Sequence, residues 1–293
     1  MKMQIKQLTI SFLALFLLQN EAFCQQSDTL NFLSKKWETT DLGNGLTWQH
    51  YQFTNKELFK ANQNIHILTS NRKTRRDRRR SVVAFVSDGD SLELTSVLAQ
   101  QNKALAGING SFFDTKKGGA VDFIRIDNQI LDTTIHNGKR LAEHQMSALV
   151  IKNNKTWIEK ARDSVDFRWE TRLDAPNVMV TGPLLVWDGK RYPLSKSAFN
   201  DNRHPRSCAC LTNKNALILL TSDGRTAEAQ GLNLHELTTL MLELGCKTAV
   251  NLDGGGSTAL YLDNKGVVNM PCDNKKFDHE GERKVSNILI LKR

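Results

Sequence analysis

Proline is scarce, five residues in 293, and the 18 glycines follow no repeat. Collagen-like and proline-rich low-complexity architectures are therefore excluded. Beyond the N-terminal segment no apolar run approaches the length needed to cross a bilayer, which removes a multi-span membrane protein. There is no Gly-Lys-Ser/Thr phosphate loop, no EF-hand spacing and no His-rich cluster. No DNA- or RNA-binding motif is visible either, so nucleic acid is not an expected partner. What is present is ordinary globular material: 40% hydrophobic and 24% charged residues. That composition excludes wholesale disorder, and the length suits one large domain or two small ones.

The first 24 residues read as a secretory signal peptide. Lys2 and Lys6 precede an apolar stretch from Leu8 to Leu18, and Ala22-Phe23-Cys24 resembles a small-x-small cleavage site. A lipoprotein reading would lipidate Cys24, but the bulky Phe23 argues against it. A secreted or periplasmic location follows, without stable membrane insertion. Residues 25–79 read as an N-terminal segment, of which the polar stretch 25–48 is a leader before the core. They carry the run Asn71 to Arg80, with seven basic residues and one Asp. That run is either a solvated loop or a local field for an anionic polymer or membrane surface. Cys208, Cys210, Cys246 and Cys272 remain after cleavage. An oxidising compartment permits disulfides, and three connectivities are open. Cys208 and Cys210 occupy alternate strand positions and should point the same way.

The spacing predicts many short strands, among them Ile65–Leu68, Ser81–Val86, Ala104–Ile108, Leu184–Trp187 and Ile288–Leu291. A hairpin is expected from Cys208–Leu211 and Ala216–Thr221. One helix is expected over about 92–103. Another starts at Asn233, whose capping-box partner would be Glu236, and stops at Gly245. The fold class is α+β: a single domain over 80–293, mostly antiparallel strands, with two main helices packed on the sheet.

Three stretches can carry chemistry. Asn251-Leu252-Asp253-Gly254-Gly255-Gly256-Ser257-Thr258 puts a carboxylate at a strand end, before three glycines that cost backbone entropy. Such a bend is either a strained hairpin or a place where main-chain N–H groups meet an anion. Asn109-Gly110-Ser111-Phe112-Phe113-Asp114 is a strand end followed by two aromatics and an acid. Arg203-His204-Pro205-Arg206-Ser207 offers a guanidinium for a phosphate and an imidazole for proton transfer.

Together with Thr181-Gly182-Pro183, Ser222-Asp223-Gly224-Arg225 and Gly231-Leu232-Asn233-Leu234-His235-Glu236-Leu237, these motifs resemble the phosphodiester glycosidase family in order and spacing. Ser207-Cys208-Ala209-Cys210 departs from the family's usual Thr-Ala and small residues, which affects only how that strand packs. The resemblance implies hydrolysis of the sugar C1–O bond in a sugar 1-phosphodiester, giving free sugar and a phosphomonoester. It makes Asp253 the first catalytic candidate, with Asp223, Asp114 and Glu228 as partner carboxylates and His204 as a proton-transfer group. Asn109, Arg206, Gly254, Gly255, Gly256, Ser257 and Thr258 are the expected substrate-binding residues. The partner would be a carbohydrate phosphodiester, or an anionic glycan if the cleft only binds. No cofactor is required. A divalent cation on Asp253, Asp223 and Asp114 is left open.

Overall fold

A computed structural model describes residues 30–71, 81–135 and 138–293. The signal-peptide reading over 1–24 and nearly all of the basic run lie outside these residues. Every strand pairing among the described residues is antiparallel, in three principal sheets and one small ribbon. The largest has eight strands. Their spatial order is Glu38–Gly43, Leu46–Leu58, Ala61–Ser70, Leu217–Ser222, Arg206–Thr212, Cys246–Asn251, Leu184–Trp187 and Lys190–Arg191. A second sheet orders Lys155–Lys160, Ser147–Lys152, Asn177–Val180, Ile124–Ile126 and Gln129–Asp132. The third orders Gly266–Val267, Leu260–Leu262, Ala106–Asn109, Asn287–Lys292 and Val82–Ser87.

The unbroken apolar stretch Leu217-Ile218-Leu219-Leu220 shows why the large sheet reads as continuous hydrophobic sequence. Leu217 and Leu219 face a core shared with Ile108 and Leu289 of the third sheet and Leu149 of the second. Ile218 and Leu220 face the opposite side, under a helix. Both faces are buried, so alternation disappears from the sequence. The helix is Leu234–Glu243, where Asn233 accepts from the Glu236 amide and the Glu236 carboxylate accepts from the Asn233 amide. Leu234, Leu237, Leu240 and Met241 bury its apolar side against Leu185, Ala249 and Cys246.

Two expectations change and one open choice is settled. Glu93–Leu94 is a strand, so the helix expected over 92–103 shortens to Thr95–Gln101 and the fold is more β than anticipated. Residues 38–48 are not a leader ahead of the core: Glu38–Gly43 and the start of Leu46–Leu58 belong to the large sheet. Ala61–Ser70 pairs with Leu217–Ser222 in the middle of the large sheet. The signal of Leu46–Leu58 was missed because Thr47 to Gln52 are half-buried on both faces, which blurs any period of two. Finally, Cys208 and Cys210 do share one face, and Cys210 joins Cys246 in a disulfide with a Cα separation of 5.8 Å. Cys208 and Cys272 are free and buried. The bridge links positions 36 apart, a loop for which chain entropy gives about 3–4 kcal/mol. Denaturant unfolding of Cys210→Ala/Cys246→Ala is expected to show that loss. An unchanged midpoint would contradict it.

Candidate active site

The strand Cys246–Asn251 delivers Asp253 to the rim where the large and third sheets meet. Its backbone is held on both sides: the Asp253 amide donates to the Gly110 carbonyl at 2.9 Å, and the Leu252 amide to that of Ser207 at 2.9 Å. Asn109, fully buried at the end of Ala106–Asn109, donates to the Asp253 carbonyl at 2.6 Å. Its Oδ1 accepts from the Ser207 hydroxyl at 2.6 Å. A Cβ on Gly110 would collide with Asn287, and one on Gly254 would lie 2.7 Å from the Pro205 carbonyl oxygen. The glycines therefore allow three chain segments to close on one another.

Asp253 is half-buried, and burial pushes its carboxyl up to about 6. The Ser257 hydroxyl, the Gly254 amide and the charge of Arg283 pull the other way. The carboxylate lines a cavity of about 670 Å³ with Phe112, Val121, Glu143, His144, Pro183, Ser195, Ser197, Phe199 and Asn200. Phe112 meets the His144 ring edge-on at 5.1 Å and Phe199 at 5.9 Å, so one wall is aromatic. Glu143 holds the opposite lip, accepting from the Ser195 amide at 2.7 Å and the Asn200 side chain at 2.8 Å.

The other side of the glycine bend is positive. Gly255 has φ +63°, and a Cβ there would stand 2.9 Å from the Arg225 guanidinium. Arg225 is exposed and makes no ion pair among the described residues. Arg283 reaches Gly256 while paired to Asp273 at 2.5 Å. Arg225 donates to the Cys272 sulfur at 3.8 Å and has no carboxylate partner among the described residues; a raised carboxyl and a guanidinium thus flank one bend, an arrangement suited to a cationic centre next to an anionic group.

A sequence profile described as phosphodiester glycosidase matches residues 102–292. The chain belongs to the phosphodiester glycosidase family. No curated protein sequence matches it. Among solved structures it is similar to the zebrafish N-acetylglucosamine-1-phosphodiester alpha-N-acetylglucosaminidase catalytic domain, auto-inhibited by its pro-peptide. That similarity has TM-score 0.64 and 20% identity, and covers 89% of each chain. It is also similar to a hypothetical protein from Synechocystis, with TM-score 0.63, 16% identity and 88% of this chain covered. The chain spans 64% of that Synechocystis structure. At these identities the two structures speak to the fold alone.

In this member of the family the residues expected at the site do not all converge. Asn109, Gly254, Gly255, Gly256, Ser257 and Thr258 gather around Asp253. Two of the three glycine amides are already used, however: Gly254 donates to Asp253 at 2.8 Å and Gly255 to Pro205 at 2.9 Å. Arg206 lies 1% exposed beneath the lip. Its guanidinium stacks on Phe199 at 4.7 Å and donates to the carbonyls of Phe199, Asn202 and Leu232. Burial and the nearby Arg225 bring it down to about 10. It holds the 195–202 loop, whereas Arg225 presents its charge outward.

Asp223 is buried and accepts from Asn64 at 2.7 Å, Asn269 at 2.8 Å and the Met270 amide at 3.0 Å. Asp114 caps a turn, accepting from the Lys116 and Lys117 amides, which hold its carboxyl below the usual range. Glu228 is exposed on a loop. His204 is half-buried, bridges Leu232 through its backbone, and is pushed down by burial and by Arg206 and Arg225. None of these four side chains lines the Asp253 cavity. Sequence reasoning missed Glu143 and His144, which line the cavity, and Arg225, which packs against Gly255. Arg225 stood within a motif; Glu143-His144 sits in a polar loop with no spacing signal of its own. Among the described residues no group of three His, Cys, Asp or Glu side chains is arranged to hold a metal.

Proposed function

We propose that the protein is a secreted or periplasmic hydrolase that cleaves the C1–O bond of a sugar 1-phosphodiester to free sugar and phosphomonoester. The observation that carries this reading is Asp253, its carboxyl raised and opening into a cavity, on a glycine bend against which the exposed Arg225 guanidinium packs. Phosphate is already a good leaving group, so charge stabilisation outweighs strong protonation. Asp253 stabilises the oxocarbenium-like centre or attacks it, and Arg225 faces the departing phosphate. The aromatic wall of Phe112 and Phe199 suits the face of a sugar ring. The relative named for N-acetylglucosamine 1-phosphodiesters makes those the first substrates to try. Disulfide formation between Cys210 and Cys246 agrees with an oxidising compartment.

The reading takes no cofactor. Asp223 and Asp114 have their carboxylates occupied by protein donors, and turnover that survives a chelator would remove a divalent cation from consideration. Hydrolysis of N-acetylglucosamine 1-phosphate methyl diester in labelled water tests the reaction itself. Label in the sugar is the expected result; label in phosphate would mean P–O cleavage. Saturable glycan binding with no product would favour a non-catalytic cleft instead. Arg225→Gln is expected to raise KM by at least about tenfold, the worth of one charge-assisted hydrogen bond. A KM unchanged by that substitution would move the phosphate elsewhere.

A further inference from the structure

We propose that His144 is the second proton-transfer group of the Asp253 cavity and that Asp122 is the residue that positions it. This rests on the glycosidase reading for the reaction, but the pairing itself does not. His144 lines the same cavity as Asp253. Its Nε2 lies 3.4 Å from Oδ2 of Asp122, a carboxylate with no exposed surface. That Oδ2 is fully buried and makes no hydrogen bond among the described residues. The other oxygen accepts from Gln145 at 3.0 Å. His144 Nδ1 makes no hydrogen bond among the described residues, and the ring is about one-third exposed. One ring nitrogen thus faces a buried acid while the ring itself borders the cavity, the arrangement by which a carboxylate fixes the tautomer of a working imidazole.

The turn that carries His144 is tightly built. Glu143–Gln145 is a single 3₁₀ turn in which Gln145 Oε1 accepts from the Ala142 amide. The Trp169 indole donates to the Gln145 carbonyl at 3.0 Å. Gly182, inside the Thr181-Gly182-Pro183 motif, comes so close that a Cβ would sit 2.9 Å from the His144 Cα. This gives that glycine a reason: it lets the turn press against the floor of the site, where Asn251 donates to the Gly182 carbonyl at 2.9 Å. Burying a carboxylate this fully is costly unless the group is used or paired. Burial and Glu170 raise Asp122 to about 7, and burial lowers His144. The charged groups around the ring are Asp122 behind it, Glu143 beside it and Asp253 across the cavity.

In the reaction, the C1–O bond breaks and its electron pair leaves with the phosphate oxygen. A water oxygen bonds to C1 and keeps one proton as the sugar hydroxyl. The other proton passes to His144 Nδ1 and from there to the phosphomonoester or to solvent. Nothing is oxidised or reduced.

The test uses the full mature chain and N-acetylglucosamine 1-phosphate methyl diester. His144→Ala is expected to lower kcat by about 10²-fold or more with KM within threefold, the usual worth of a proton-transfer group. Added imidazole should restore part of the loss, which a merely structural role would not allow. Retention of kcat within threefold, or a loss that imidazole leaves untouched, overturns the assignment of His144. The pairing is read separately, without substrate, from the nitrogen NMR shifts of the neutral His144 ring, which report its tautomer. Asp122→Asn replaces the acid that faces Nε2 with an amide that can also donate, so the neutral ring should shift toward the tautomer protonated at Nδ1. An unmoved tautomer balance overturns the role of Asp122, whatever the wild type hydrolyses. Absence of sugar release by wild type would instead count against the glycosidase reading.

Discussion

Asp253→Asn is expected to lower kcat for sugar release by at least about 10³-fold while leaving the protein folded, because the substitution removes the charge that answers the cationic centre. The amide oxygen can still accept from Gly254, and the backbone hydrogen bonds to Gly110 and Asn109 do not involve the side chain. The carboxylate is the working form, so wild-type activity should rise as pH passes through about 6, the value to which burial pushes Asp253. Stability moves the other way. A carboxyl whose folded value lies above its ordinary 3.8 binds its proton more tightly when folded. It contributes stability that is complete below about pH 4 and is lost as pH rises through about 6. Asp122, raised to about 7, adds a second such loss. Asp253→Asn should therefore have a higher Tm than wild type at pH 7.5, while Tm values converge near pH 4. Turnover by the variant within tenfold of wild type would remove Asp253 from the chemistry.

The second large effect is on stability. Asp223→Ala is expected to cost about 3 kcal/mol or more, because it strands buried donors that the carboxylate now satisfies and hydrogen bonds to a charge are the strong ones. Those donors are Asn64 Nδ2, Asn269 Nδ2 and the Met270 amide. His66, also buried, stands 3.7 Å away and stacks on His50 at 4.4 Å. The residue ties the central strand Ala61–Ser70 to the segment that passes behind the glycine bend. Thermal and urea unfolding would read the loss. A variant that unfolds like wild type but no longer turns over substrate would return Asp223 to the catalytic group, where its motif first placed it.

Local features transferred well from sequence to structure. The Asn233–Glu236 capping box formed as spaced, Leu184–Trp187 is a strand with the expected bounds, and Gly245 ends its helix at φ +74°. These are decided by neighbours a few residues away, where periodicity and capping speak directly. The strand Leu46–Leu58 was hidden because its faces are neither clearly wet nor clearly dry. The cavity was hidden for a different reason. Asp122, His144 and Asp253 belong to different loops and strands, and no interval in the chain relates them.

From the chain alone came the antiparallel strand-rich class, the acid before three glycines and the family they resemble, since each rests on residue type and near-neighbour order. Only the folded molecule decided which charged groups are free to act. It spent Asp223 and Asp114 on protein donors, turned Arg206 inward onto carbonyls and left Arg225 outside. It also set His144 beside the cavity. Burial and hydrogen-bond partners determine whether an ionisable side chain is structural or available, and both are properties of packing that linear order does not contain.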